Sequence, residues 1–178
     1  MPTPTRPIFL LGMMGAGKTS VGRVLATARG AEFIDLDARV ELLFGATVSA
    51  LFEDGEAYFR ACERASLRAL LAEPGFSGAA VVVATGGGIV TEPANLEDMA
   101  AVGTLVYLAL TPERLAARLS SPEQIAARPL LEHGSLSAKL TGLLHTRDPA
   151  YRRATLIIDA DAGPEQVAAR VAGALQDP

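Results

Sequence analysis

A single cysteine, Cys62, rules out an internal disulfide and any cysteine-built zinc cluster. It sits in a helical pattern and reads as a buried, inert thiol. His133 and His145 are too few and too far apart to suggest a metal site. Tryptophan is absent, and no segment is long enough and apolar enough to span a membrane. The N-terminal "MPTPTRPIFLL" has an apolar run of only four residues, which continues into a first strand, so no signal-peptide hydrophobic region is expected. A reducing cytoplasm is then the expected compartment. The formal net charge of −4 argues against a general binder of nucleic acid or anionic membrane. Lysine is scarce too: of 16 basic residues only Lys18 and Lys139 are lysines.

One of those two lysines lies in "GMMGAGKTS", Gly12 to Ser20, directly after the apolar run "IFLL". Gly12, Gly17, Lys18 and Thr19 fit G-x-x-x-x-G-K-[ST], the phosphate-binding loop. Its glycines let successive backbone N–H groups turn toward phosphate oxygens. The following helix, "KTSVGRVLATAR", adds its positive N-terminal end. Lys18 is expected to reach the β- and γ-phosphates, and Thr19 to ligate Mg²⁺. The pattern is strong for nucleotide phosphate and silent about the use made of it.

The chain of 178 residues suits one domain. Five apolar runs alternate with helical patterns: "IFLL" (8–11), "EFIDL" (32–36), "AVVVAT" (80–85), "TLVYLAL" (104–110) and "TLIIDA" (155–160). Continuous apolar blocks suit parallel strands covered on both faces, and the alternation implies an α/β, doubly wound sheet. Ligands of such sheets bind beyond the carboxyl ends of the strands. Two inserts break the alternation: a long helical stretch at 38–73, and 120–135, whose prolines and glycine suggest a mobile lid or a plain surface connection.

The strand ends carry polar chemistry. Asp35 and Asp37 in "FIDLD" are two apart and share a strand face, where two carboxylates call for a cation nearby. A Mg²⁺ and a substrate hydroxyl would account for both. Asp37 also suits the N-cap of a helix "ARVELLF". Gly86, Gly87 and Gly88 in "TGGGIV" follow the third run and expose backbone N–H groups, or make a tight turn. Arg60, Arg128 and Arg147 suit bidentate capture of carboxylate or phosphate.

The stretches "GMMGAGKTSVGR", "FIDLD", "LFEDGEAYFRACE", "TGGGIV", "RPLL" and "RDPAYRRA" stand in the order and at roughly the spacing of one family. From end to end the chain resembles the shikimate kinases. The resemblance implies a P-loop NTPase fold with a five-stranded parallel sheet of the nucleoside-monophosphate-kinase type, helices on both faces, 38–73 as substrate-binding insert and 120–135 as lid. It implies transfer of the γ-phosphate of ATP to the 3-hydroxyl of shikimate, in the route to chorismate, with Mg²⁺ as cofactor.

By the same resemblance Lys18 and Arg128 contact the transferring phosphate, with Gly15, Ala16, Gly17 and Ser20 around the nucleotide. Thr19 holds Mg²⁺ and Asp35 helps through water. Asp37 binds ring hydroxyls and accepts the proton of the attacking one. Arg60, Arg147 and the backbone of Gly86, Gly87 and Gly88 hold the substrate, and Phe52, Phe59 and Glu63 shape its pocket. Arg118 lies against the adenine. The lid segment "SSPEQIAA" departs from the family pattern, because Glu123 is its only charge. The expected partners are ATP and shikimate, with no nucleic acid, no membrane and a monomeric state. Two alternatives stay open: a kinase for another small polyol acid such as gluconate, and a non-catalytic ligand sensor. A sensor attached to a transcription regulator would carry a DNA-binding segment and be free to lose Lys18, Asp37 or an arginine.

Overall fold

Residues 8–11 have no polar side chain and are buried throughout. In the computed structural model, which describes residues 6–119, 129–131 and 135–176, they form the central strand of a five-stranded parallel sheet. The strands are β1 (Ile8–Leu11), β2 (Glu32–Asp35), β3 (Val81–Ala84), β4 (Thr104–Ala109) and β5 (Leu156–Asp159), in the order β2-β3-β1-β4-β5. All neighbouring strands pair in parallel, so every carboxyl end lies on one side of the sheet. The register aligns Asp35 with Ala84, and Ala84 with Leu10, which brings the ends of β2, β3 and β1 level.

Among the described residues the α-helices are α1 (Lys18–Arg29), α2 (Leu36–Phe44), α3 (Val48–Glu53), α4 (Glu56–Leu71), α5 (Pro93–Val102), α6 (Pro112–Arg118), α7 (Leu136–Tyr151) and α8 (Pro164–Ala174). Helix α1 starts behind Gly17 and ends at Gly30, both left-handed (φ 93° and 59°). It buries Val21, Leu25 and Ala26 against the sheet, and its Gly22 leaves room for the Phe33 ring, which a Cβ there would approach to 2.6 Å. Among the described residues no helix is long and apolar enough to cross a membrane.

The 38–73 insert is three helices rather than one long helical stretch. Gly45 (φ 65°) ends α2, and Gly55 (φ 104°) precedes α4. Both break the helical run at positions that side chains seldom adopt. The insert has a small core of its own, Val40, Leu51, Phe59 and Cys62, separate from the main one. Each of the large apolar side chains in it contributes about 1.5–3 kcal/mol by burial. Cys62 is buried there as expected. Arg128 and most of the 120–135 segment lie outside the described residues.

Candidate active site

Gly12 begins the phosphate loop with φ 145°, and a Cβ there would lie 2.8 Å from the Leu108 carbonyl oxygen. Only glycine lets the loop leave β1 so close to β4. The loop curls back on itself, with Ala16 N donating to Met13 O at 3.1 Å. Lys18 Nζ donates to Gly12 O (2.8 Å) and Met13 O (3.0 Å), which holds its charge over the loop. A cavity of about 580 Å³ opens here, lined by Gly15, Gly17, Lys18, Thr19 and Ser20 of the loop and by Asp35, Asp37 and Arg118. Ala16 differs from the expectation. It is buried, its N–H is taken by Met13, and its carbonyl accepts from Arg118.

Asp35, not Asp37, is the N-cap of α2. Its Oδ1 accepts from Asp37 N (3.1 Å) and Ala38 N (3.3 Å), because the strand ends at Asp35 and the helix begins one residue later. The two aspartates therefore do not share a strand face, yet both line the cavity. Asp35 Oδ2 accepts from Thr19 Oγ1 at 2.9 Å. Asp37 lies in the first turn of α2 with Oδ1 buried and without a hydrogen-bond partner. Burial pushes its carboxyl above the ordinary value, and the nearby Lys18 charge opposes the rise.

A second cavity of about 270 Å³ adjoins the first, and Met14, Asp37 and Gly87 line both. Its other walls include Phe52, Phe59, Arg60, Glu63, Gly86, Gly88 and Arg147. Every residue expected to hold or shape a substrate is thus brought to one place. Arg60 Nη1 donates to Glu63 Oε2 at 2.8 Å, and Nη2 to Glu56 Oε1 at 3.1 Å. Its guanidinium lies 5.1 Å from the Phe59 ring centre and 5.7 Å from that of Phe52, within cation–π range. Burial works against its charge, but the Glu63 and Glu56 carboxylates together more than offset this and raise the pKa. Burial pushes the Glu63 carboxyl up, against the pull of Arg60.

Arg147, on α7, is only 4% exposed and its Nη1 has no hydrogen-bond partner. Glu63 Oε1 is a second buried atom without one. The glycines between them have no room for side chains: a Cβ on Gly86 would lie 2.2 Å from Glu63 Oε1, and one on Gly88 2.1 Å from Arg60 Nη2. A buried cation and two buried carboxylate oxygens, all unsatisfied and facing one cavity, call for a ligand with both an anionic group and hydroxyls.

Arg118 spans the nucleotide side. It donates to Ala16 O (3.1 Å), Ala160 O (2.7 Å) and Ala162 O (3.0 Å). Its edges are taken up by carbonyls, which leaves the flat face for a ring. Sequence reasoning missed Met14, Glu41, Val48 and Leu130 in the smaller cavity, and Gly163 and Pro164 in the larger. The last two follow the carboxyl end of β5, and the rule that ligands bind beyond strand ends was the signal for them.

The family model for shikimate kinase matches residues 14–176. A shikimate kinase of Halorhodospira halophila is 45% identical over 98% of this chain and 95% of its own length. Among solved structures, the shikimate kinase of Acinetobacter baumannii in complex with shikimate superposes with a TM-score of 0.88 at 37% identity, covering 96% of this chain and 93% of that one. The enzyme of Bacteroides thetaiotaomicron gives 0.85 at 35% identity, over 97% and 99%. The family-model match over residues 14–176 and these relatives, covered along almost their whole length, place the chain in the shikimate kinase family.

Proposed function

We propose that this chain transfers the γ-phosphate of ATP to the 3-hydroxyl of shikimate, giving shikimate 3-phosphate for chorismate and aromatic amino acid synthesis in the cytoplasm. The observation that carries the reading is the smaller cavity: Arg147 Nη1, Asp37 Oδ1 and Glu63 Oε1 are buried there without partners, beside the phosphate loop. A small ring with one carboxylate and several hydroxyls supplies what each lacks.

Phosphoryl transfer needs mainly positioning and neutralisation of charge. The loop amides and Lys18 hold the phosphates, and the face of Arg118 packs on the adenine. Arg60 and Arg147 take the carboxylate, which turns the hydroxyl edge of the ring toward Asp37. Asp37 accepts the hydroxyl proton as the oxygen attacks the γ-phosphorus and ADP leaves. Arg128 is assigned to the transferring phosphate, and the 120–135 segment to the lid, by family resemblance.

Thr19 and Asp35 fit a magnesium ion. A hydroxyl and a carboxylate meet in the phosphate cavity, both hard oxygen donors. Among the described residues no three acidic, histidine or cysteine side chains are placed so that they could hold a metal ion by themselves. Magnesium suits such a sparse protein set, because phosphates and water complete its shell. When bound, the ion neutralises charge on the phosphate oxygens.

The test is ADP release from ATP with shikimate, quinate and gluconate compared, with Mg²⁺ and with chelator. Shikimate is expected to be preferred and chelator to abolish turnover; preference for gluconate would overturn the reading. Arg60→Lys and Arg147→Lys each keep the charge and lose the planar fork. Each should weaken shikimate binding by about 1–3 kcal/mol, the scale of hydrogen bonds to charged groups, with ATP affinity little changed. Titration of both single variants and the double variant checks this, and the effects should be non-additive on one shared ligand. Gly88→Ala places a Cβ where the Arg60 guanidinium lies. It should weaken shikimate by a similar about 1–3 kcal/mol in a folded protein, because the displaced group is the free end of a flexible side chain. Unchanged affinity in a titration would place Arg60 elsewhere.

A further inference from the structure

Each carbonyl along residues 86–89 is taken by a donor. Gly86 O accepts from Ile89 N at 3.2 Å, and Gly88 O from Thr91 N at 3.0 Å and Thr91 Oγ1 at 2.7 Å. Ile89 O accepts from Asn95 Nδ2 at 2.9 Å, whose own Oδ1 is held by Arg64 at 2.7 Å. These donors are close in sequence to their acceptors. Gly87 O is different: its donor is the phenol of Tyr151, the last residue of α7.

Tyr151 is fully buried and does not line either substrate cavity. Its ring stacks on Tyr107, with centres 4.9 Å apart and planes at 19°. The Tyr107 hydroxyl donates to Asp148 Oδ1 at 2.9 Å, and Asp148 directly follows Arg147. Arg147 stands one helical turn before Tyr151 on α7, and its charge opposes the burial that pushes this phenol up to about 12. The Tyr151 hydroxyl thus ties the glycine segment to the helix that carries Arg147.

No peptide bond among the described residues is cis. In a trans peptide the carbonyl and the next N–H point in opposite directions. A Gly87 carbonyl turned to Tyr151 therefore sends the Gly88 N–H the other way. Glycine has no side chain to fix that orientation, and either flip of the peptide is open to it.

We propose that Tyr151 is a positioning residue: its hydroxyl fixes the orientation of the Gly87–Gly88 peptide and ties it to the helix that carries Arg147, so that the two elements holding the acceptor substrate are set as a unit. The role rests on the proposed use of the smaller cavity for shikimate. Tyr151 touches no substrate, and its effect passes through Gly87 and α7.

Tyr151→Phe keeps the ring and its stack and deletes only the hydroxyl. In the full chain the KM for shikimate should rise about tenfold, the worth of one buried hydrogen bond. The KM for ATP should stay within about twofold, because the phosphate loop is untouched. In the substrate-free protein the Gly88 amide resonance should move, and those of Gly15 and Gly17 should stay. Tyr107→Phe is the comparison: it releases Asp148 Oδ1, while Asp148 keeps its pair with Arg152, leaves Gly87 held, and should lower the thermal midpoint without moving Gly88. The proposal is overturned if Tyr151→Phe leaves the Gly88 resonance or the KM for shikimate unchanged. It is overturned equally if both KM values rise together, or if Tyr107→Phe reproduces the whole pattern. The Gly88 shift needs no substrate, so a wild type that fails to phosphorylate shikimate would sink the assigned reaction and leave this measurement to decide the role of Tyr151.

Discussion

Lys18→Met should lower kcat by roughly a hundredfold or more, the loss seen when a charge aimed at the transition state is removed. Lys18 Nζ is held over the loop by Gly12 O and Met13 O, so its position is fixed before nucleotide arrives. Its attraction grows as charge develops on the transferring phosphoryl oxygens, and a term of that kind appears in kcat rather than in substrate binding. Met13 O keeps the Ala16 N–H when Lys18 is replaced, and the Lys18 side chain itself lines an open cavity, so the fold should survive. A steady-state assay beside a thermal unfolding curve checks both parts. Near-normal turnover in a folded variant would remove Lys18 from the chemistry.

Asp37→Asn should reduce kcat by about 10²–10⁴, the range for loss of a positioned general base. The amide keeps the shape of the side chain in the first turn of α2 and leaves the Asp35 cap untouched. ATP affinity should therefore be largely retained. Collapse of ATP affinity with high residual turnover would make Asp37 a structural residue. The wild type should also lose kcat/KM as pH falls through the raised pKa of Asp37, because the base must be ionised. Stability carries the opposite sign. A native carboxyl that binds its proton more tightly than the unfolded chain stabilises the free enzyme at low pH. That contribution is lost as pH rises through the raised value. Glu63 adds to it in the same direction.

Helix α1 and the first strand coincide with the sequence reading to the residue, because loop chemistry fixes where one ends and the other begins. The strands at 32–36, 80–85, 104–110 and 155–160 were read one or two residues too long. Apolar character there continues past the last ladder bond, as at Leu36, which is already helical. The division of 38–73 into three helices rests on Gly45 and Gly55, both visible in the sequence but set within a continuous helical pattern. The separation of roles between Asp35 and Asp37 was not legible, since either fits a cap and only the helix start decides. Arg60 and Glu63 stand three apart on one helix, and their pairing follows from spacing alone. The approach of Arg147 to the same cavity does not, because it depends on how α7 crosses the sheet ends. Two arginines, Arg60 and Arg147, line this one cavity. Glu63 and Glu56 already neutralise Arg60 there.

The Arg118 clamp has a thermodynamic consequence. By joining Ala16 O to Ala160 O and Ala162 O, it ties the phosphate loop to the segment that follows β5, which forms the other wall of the nucleotide cavity. Those walls are held together before ATP arrives, so little chain freedom is left to lose when it binds. The entropy of nucleotide association at these walls is then set mainly by released water and ions, and the backbone of residues 160–163 should be as rigid in the free enzyme as in the complex.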